Sequence, residues 1–389
     1  MPKAVVIGGG VAGPAVAQLL ARAGWDAPVF EAQPEPDAFA GLFLNVAVNG
    51  QRVLGALGVL DRLLGDAHRA SRMVMISGRG KQLGVVPNGP AGRPSEAGVV
   101  VRRGWLHRVI RDGAEQAGVT IRHGRRLTGV RERADGVDAL FDDGSVEQGD
   151  VLIGADGVGS VVRTYLAPGV VPEFTGLLGS GGFAHGTGLA PTPGAQFFVF
   201  GARSFFGYLV RDDGTVYWFA NLTAERPPPL DSPNDSARLL ARLRELHGDD
   251  PAPVPHILQH ADGPVGGYPI FRLPTVPNWW RGRVVALGDA VHATSPSAGQ
   301  GASLALEDAA VLADRLRSAD EPQAAFAGYE AARRDRAERI VAYAAAIDQQ
   351  KRVARGRLGI AIRDAMRPMF LRRAAGDTRN DWVYDYRAS

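Results

Sequence analysis

The apolar positions of the first 31 residues fall into strand, turn, helix and strand. Residues 3–7 form a short β-rich run, 8–13 are dominated by glycine, 15–23 carry apolar side chains at helical spacing, and 27–30 are apolar again. That is a βαβ unit. Helical patterns recur at 50–64 and 105–117, the second with Leu106, Val109 and Ile110 on one face, and a strand follows at 119–122. From 127 to 153 the period drops to two, with turns at 134–136 and 142–144, which predicts a β-meander. The stretch 174–268 is richer in β-branched and aromatic residues, and Asp212-Asp213-Gly214 separates the runs 205–210 and 215–221 as a hairpin turn would. Pro227-Pro228-Pro229 and the proline cluster at 251–255 mark loops around a helix there. A buried strand returns at 283–287, then helix at 302–316 and amphipathic helices at 324–350 and 358–372.

These elements predict an α/β fold: a Rossmann-like dinucleotide-binding unit (1–173 and 269–320, with the meander inserted) interlocked with an antiparallel-sheet unit (174–268) and followed by C-terminal helices (321–389). The 389 residues suffice for two units sharing a large core. The formal charge of +3 is carried almost wholly by arginine, since Lys3, Lys81 and Lys351 are the only lysines, and it predicts no nucleic-acid partner. There are no cysteines, which removes disulfides, thiolate metal sites and thiol nucleophiles. No metal site is expected, and redox chemistry would need a bound cofactor. The apolar run 4–7 is too short for a signal peptide and no run approaches the roughly 20 residues of a membrane span, so a cytoplasmic address is expected.

Gly8-Gly9-Gly10-Val11-Ala12-Gly13 fits GxGxxG between a strand and a helix. Gly8 permits the tight turn, Gly10 lets a pyrophosphate approach the backbone, and Gly13 lets the helix pack on the strand, with the helix dipole facing the phosphates. Glu31 lies 23 positions after Gly8, where a carboxylate can accept from both ribose hydroxyls and would repel a 2′-phosphate. FAD and NAD remain equally open at this point.

Two later segments separate them: Gly154-Ala155-Asp156-Gly157 and Gly288-Asp289-Ala290-Val291-His292, the latter running on through Pro296 to Gly299-Gln300-Gly301-Ala302. With the first fingerprint, they resemble the class A flavoprotein monooxygenases, the p-hydroxybenzoate hydroxylase-like family, in its salicylate hydroxylase and tetracycline-inactivating branch. The resemblance spans essentially the whole chain. It implies FAD as cofactor, with Gly8, Gly10, Val11, Ala12, Gly13 and Glu31 on the nucleotide, Asp289 on the ribityl chain, and Pro296, Gly299, Gln300, Gly301 and Ala302 near the isoalloxazine, where a helix N-terminus favours the reduced, anionic flavin. It further implies Asp156 in FAD and nicotinamide contacts, Arg103 (or, one residue earlier, Arg102) on the ribityl or pyrophosphate, and backbone groups at Leu127 near the adenine. The chain departs from the family's usual pattern at Val48-Asn49-Gly50, where a proline commonly precedes the asparagine, and at Ala290-Val291, where two alanines are usual.

The implied activity is hydroxylation of an electron-rich aromatic or polycyclic small molecule, in secondary metabolism or antibiotic modification, through a flavin C4a-hydroperoxide. NAD(P)H serves as transient reductant and O2 as co-substrate. Catalysis is then borne by the flavin, and the expected pocket comes from the aromatic strands, with Phe206, Tyr208, Tyr217 and Phe219 as candidates and only alternate positions able to face it. His292 and Ser160 read as a structural histidine and a helix cap rather than catalytic groups. A monomer or homodimer is expected. Two other readings stay open: an FAD-dependent reductase that inserts no oxygen, and a non-catalytic protein that binds FAD and an aromatic ligand.

Overall fold

A computed structural model describes residues 1–34, 42–227, 236–351 and 377–388. At its centre is a six-stranded sheet ordered Trp280–Arg281, Val284–Ala286, Val151–Gly154, Ala4–Ile7, Val29–Phe30, Ile121–Arg122, parallel except for its first pair. Ala4–Ile7 is an unbroken apolar run because both of its faces are buried. The helices Ala12–Arg22, Arg103–Gln116 and Gly301–Ser318 pack together over the sheet, and the predicted meander, Leu127–Glu132, Val137–Phe141 and Val146–Gly149, also packs against it.

The second large sheet has seven strands, ordered Ala261–Arg272, Glu173–Ala184, Val216–Thr223, Phe205–Val210, Ala195–Phe200, Arg72–Ser77, Gln82–Pro87. Its last two strands come from the segment that the sequence pattern left in the first unit. They join by parallel pairing of Ala195–Phe200 with Arg72–Ser77, a contact between segments more than 100 residues apart that no local signal announces. A small third sheet, Phe43–Val46, Val99–Arg102 and His68–Arg69, bridges the two large ones. The pattern predicted as one helix over 50–64 is two, Val48–Ala56 and Leu60–Leu64, parted at Gly58, whose φ of 74° ends the first. The cluster at 251–255, expected as loop, opens a short helix, Val254–Gln259, with proline in its first turn. The C-terminal helix forms as Pro322–Lys351, whereas the second expected helix (358–372), together with Pro228 and Pro229, lies outside the described residues.

Under the turn that starts the four-residue helix Asp289–His292 lies a buried ionic cluster. Asp308 accepts from the Gly288 backbone N–H (3.0 Å), from Arg333 Nε (2.7 Å) and pairs with His292 Nε2 (2.5 Å). Glu307 pairs with Arg333 and Arg336 (2.6 and 2.8 Å) and accepts from Asn49 Nδ2 (2.6 Å). Burial alone would raise Asp308, but the charges of His292 and Arg333 and their hydrogen bonds outweigh it and hold the carboxyl at about 2. His292 is thus a buried, bonded structural group, as its sequence context predicts.

Removing one partner from a buried ion pair costs roughly 3–5 kcal/mol. Arg333→Leu is expected to lower the unfolding free energy by that order in a denaturant titration, and a loss under about 1 kcal/mol would show that the cluster does not hold the fold. Asp308's folded value lies below that of an unfolded aspartate, so its stabilisation is complete above about pH 4 and fades as the pH falls towards 2. In Asp308→Asn the acid limb of the stability profile should flatten relative to wild type.

Candidate active site

The turn after Ala4–Ile7 is forced to be glycine. Gly8 has φ 108°, and a Cβ on it would lie 2.3 Å from the Ala155 carbonyl oxygen. A Cβ on Gly13 would lie 1.9 Å from the Gly8 carbonyl oxygen, so the helix can start this close only without one. Gly10 differs: a Cβ there would meet nothing within 4 Å, because the residue faces the open space of a cavity. Glu31 accepts from the backbone N–H of Gly9 (2.6 Å) and of Gln33 (2.8 Å), so its carboxylate sits at the mouth of the turn.

The cavity has a volume of about 1260 Å³ and runs without interruption from Gly10, Val11 and Ala12 to the seven-stranded sheet. Asp289, Arg103, Pro296 and the segment 299–302 line its near half. Arg102 and Arg103 part company because the first ends a strand and the second begins a helix. Arg102 donates to Tyr217 Oη (2.9 Å), while Arg103 reaches the cavity and makes no side-chain hydrogen bond or ion pair among the described residues. Asp289 opens into the cavity; desolvation by the surrounding protein raises its pKa, and the charges of His292 and Arg103 oppose that shift. His107 on the same wall is pushed down to about 4 by burial and by Arg103 and Arg111, so it is neutral at neutral pH. Gly299 (φ 62°) turns the chain into helix Gly301–Ser318, whose positive end faces the cavity. Gln300, fully buried, is gripped by Asn49 Nδ2 (2.9 Å), and Ser295 and Ser297 both bond to Asp348 of the C-terminal helix.

Five residues expected at the cofactor do not line the cavity: Gly8 and Gly13, which shape the turn, Glu31 beside it, Asp156 and Leu127. The Asp156 carboxylate is occupied by Ser160 Oγ (2.5 Å) and the Val161 and Val162 N–H groups (2.8 and 3.2 Å), where with the Ser160 cap it starts the helix Val161–Leu166; its neighbours Ala155 and Gly157 line the cavity instead. Leu127 is buried in the core of the meander.

The far half corrects the expected pocket. Of Phe206, Tyr208, Tyr217 and Phe219, Phe219 alone lines the cavity. Phe206 stacks on Trp218 on the opposite face of the sheet, over helices Ser236–His247 and Val254–Gln259, and Tyr208 stacks on Phe197 on that same face. Tyr217 shares Phe219's face but is fully buried against Phe43, its hydroxyl held by Arg102 and Arg211. Phe198, Phe200 and Phe205 complete the wall with Met73 and Met75. Strand alternation could have chosen 198 and 200 over 197, but it does not say which face is inward.

A family model described as FAD binding domain matches residues 2–344. The chain is 30% identical over 341 residues to the aurachin C monooxygenase/isomerase of Stigmatella aurantiaca, covering 87% of this chain and 86% of that protein. It is 32% identical over 351 residues to a 3-amino-4-hydroxybenzoate 2-monooxygenase of Streptomyces platensis, with 87% and 86% covered. The chain belongs to the FAD-binding aromatic monooxygenases. The crystal structure of Klebsiella pneumoniae HpxO complexed with FAD and uric acid superposes with a TM-score of 0.86 at 27% identity, covering 99% of this chain and 97% of that one. The tetracycline destructase Tet(51) shares the fold at a TM-score of 0.69 and 18% identity, with 97% and 98% covered.

FAD is the cofactor of this monooxygenase, and the near half of the cavity fits it. An open glycine turn, a cation and a carboxylate without hydrogen-bonded partners among the described residues, and a helix N-terminus follow one another along a single wall. Gly10→Val should fold with a melting temperature within a few degrees of the wild-type apoprotein yet purify with little flavin, because its Cβ would point into the cavity with nothing within 4 Å. Full flavin content in that variant would remove the phosphates from this turn.

Proposed function

We propose that the enzyme hydroxylates a planar, electron-rich aromatic or polycyclic molecule with NAD(P)H and O2, in antibiotic or other secondary metabolism. The observation that carries this reading is that one cavity joins the dinucleotide turn to a wall of phenylalanines. When bound, FAD supplies the redox chemistry, accepting a hydride from NAD(P)H and activating dioxygen.

The chain's own residues bind, aim and exclude water. In this proposal the Gly8–Gly13 turn and Arg103 hold the pyrophosphate, Glu31 the ribose and Asp289 the ribityl chain, while the backbone from Gly299 to Ala302 offers its N–H groups and the helix dipole to the ring edge that becomes anionic. Phe198, Phe205 and Phe219 stack against the substrate plane and keep water from the reacting face. A ring held on that wall would face the cofactor end of the same cavity, which is the near-attack arrangement the reaction needs. His107, held neutral, adds no charge beside Arg103. The relatives named as monooxygenases of aurachin C and of an aminohydroxybenzoate support a ring substrate. No helix among the described residues is long and apolar enough to cross a membrane; the cytoplasm, where NAD(P)H is available, is the compartment we propose, with the enzyme as monomer or homodimer.

Anaerobic mixing with NADH or NADPH should bleach the flavin faster when an aromatic ligand is present. Readmitting isotopically labelled dioxygen should place one labelled oxygen atom in the product. Bleaching with no oxygen in any product would replace the hydroxylase with a reductase, and no bleaching with either donor would replace it with a binding protein. Asp289→Ala should lose most of its flavin during purification, and unchanged flavin content would count against the ribityl role.

A further inference from the structure

The phenylalanine wall carries two side-chain amides that nothing in the flavin half uses. Gln196 lies two residues before Phe198 on the strand Ala195–Phe200, and Asn221 two residues beyond Phe219 on Val216–Thr223, so alternation puts both on the rings' face of the sheet. Both line the cavity and both are more than nine-tenths buried, with 6% and 8% of their surface exposed. The Gln196 amide forms no hydrogen bond among the described residues, and Asn221 Oδ1 has no partner. Buried amides are nearly always bonded, so two left open on one wall of a cavity mark where a ligand supplies the partners.

Their spacing limits that ligand. Phe198, Gly207 and Phe219 stand opposite one another across three strands, which sets Gln196 and Asn221 four residues apart along the strand direction and two strands apart across it. That is about 13 Å by about 10 Å, or roughly 16 Å between backbones. The floor between them is flat because Gly207 has no side chain: a Cβ there would lie 2.2 Å from the Phe219 ring. A single ring cannot touch both amides across such a floor, whereas a fused system can.

We infer that Gln196 and Asn221 are specificity-determining residues that bind the two ends of a fused-ring substrate bearing a hydroxyl, carbonyl or ring N–H at each end. The inference rests on the hydroxylase reading for its substrate but on the sheet geometry for its residues. Each primary amide offers both a donor and an acceptor, so the polar group at either end can be of either kind. The rings supply the affinity for the plane, and the amides set its length and register.

The test is a titration of the FAD-loaded enzyme without NAD(P)H, read as the change in flavin absorbance, with 2,6-dihydroxyanthraquinone, its dimethyl ether and phenol as probes. Wild type should bind the dihydroxy compound at least about tenfold more tightly than the other two. Gln196→Leu and Asn221→Leu should each weaken it about tenfold and together about a hundredfold, with the dimethyl ether unaffected. If a leucine variant fails to retain flavin, Gln196→Met or Asn221→Ala takes its place under the same expectation. Equal affinity for the dihydroxy compound and its ether, undiminished affinity in the variants, or no spectral change with any probe would each overturn the inference. Because the titration needs no turnover, its outcome is independent of the labelled-dioxygen experiment, and bleaching there with no oxygen in any product sinks the hydroxylase reading alone.

Discussion

Asp308 and Glu307 stand side by side on one helix, Arg333 reaches both from the helix Pro322–Lys351, and the near half of the site hangs from this pair. Asp308 reaches up to the Gly288 N–H and to His292, which sets the turn that presents Asp289 to the cavity. Glu307 reaches Asn49, which in turn holds Gln300 at the start of helix Gly301–Ser318. Buried charges are costly unless each is met, and here each carboxylate is met by an arginine and by at least one further donor. The outcome is geometric: the turn, the glycine-rich segment and two helices keep one relative placement, so the groups facing the cofactor are positioned before it arrives.

The far half is governed by a different constraint, the close approach of rings to backbone. Phe219 can lie on the sheet only because position 207 is glycine, and Phe198 and Phe205 meet it edge-on or tilted at 5.8 Å. One face of the same sheet is thus ordinary core, with Phe206 on Trp218, while the other presents ring surface to an open volume. The small sheet Phe43–Val46, Val99–Arg102 and His68–Arg69 couples the halves: Arg102 is bonded into the aromatic face through Tyr217 and Arg103 opens into the cofactor end. The glycine-turn end of the cavity and the phenylalanine wall are therefore held in register by covalent neighbours, not by a loose contact between separate bodies.

The dinucleotide fingerprint, the meander, the strand–turn–strand around Gly214 and the C-terminal helix were all legible along the chain, because each rests on local rules: glycine at positive φ, alternation of two, or a helical stripe. The role of Gly13 was legible for the same reason, since it packs on the Gly8 carbonyl five residues away, and so was the tight turn at Gly8, whereas the close approach of Gly8 to Ala155 joins distant segments and was not. His292 and Ser160 were readable as structural groups from the elements on which they sit.

Which face of the aromatic sheet meets the cavity was not legible. Phe197 and Phe198 are equivalent in a pattern of period two, and only the helices packed over Phe206 and Trp218 decide that one set is core and the other wall. Asp156 shows the same limit: its short motif suits a cofactor contact, but three donors within six residues claim the carboxylate once the chain folds. The seven-stranded sheet took strands at 72–77 and 82–87 from a distant segment, and the two open amides gained their meaning only when those strands closed a shared cavity. Local propensity determined the elements; which surface is inside, and what it faces, is a property of how they pack.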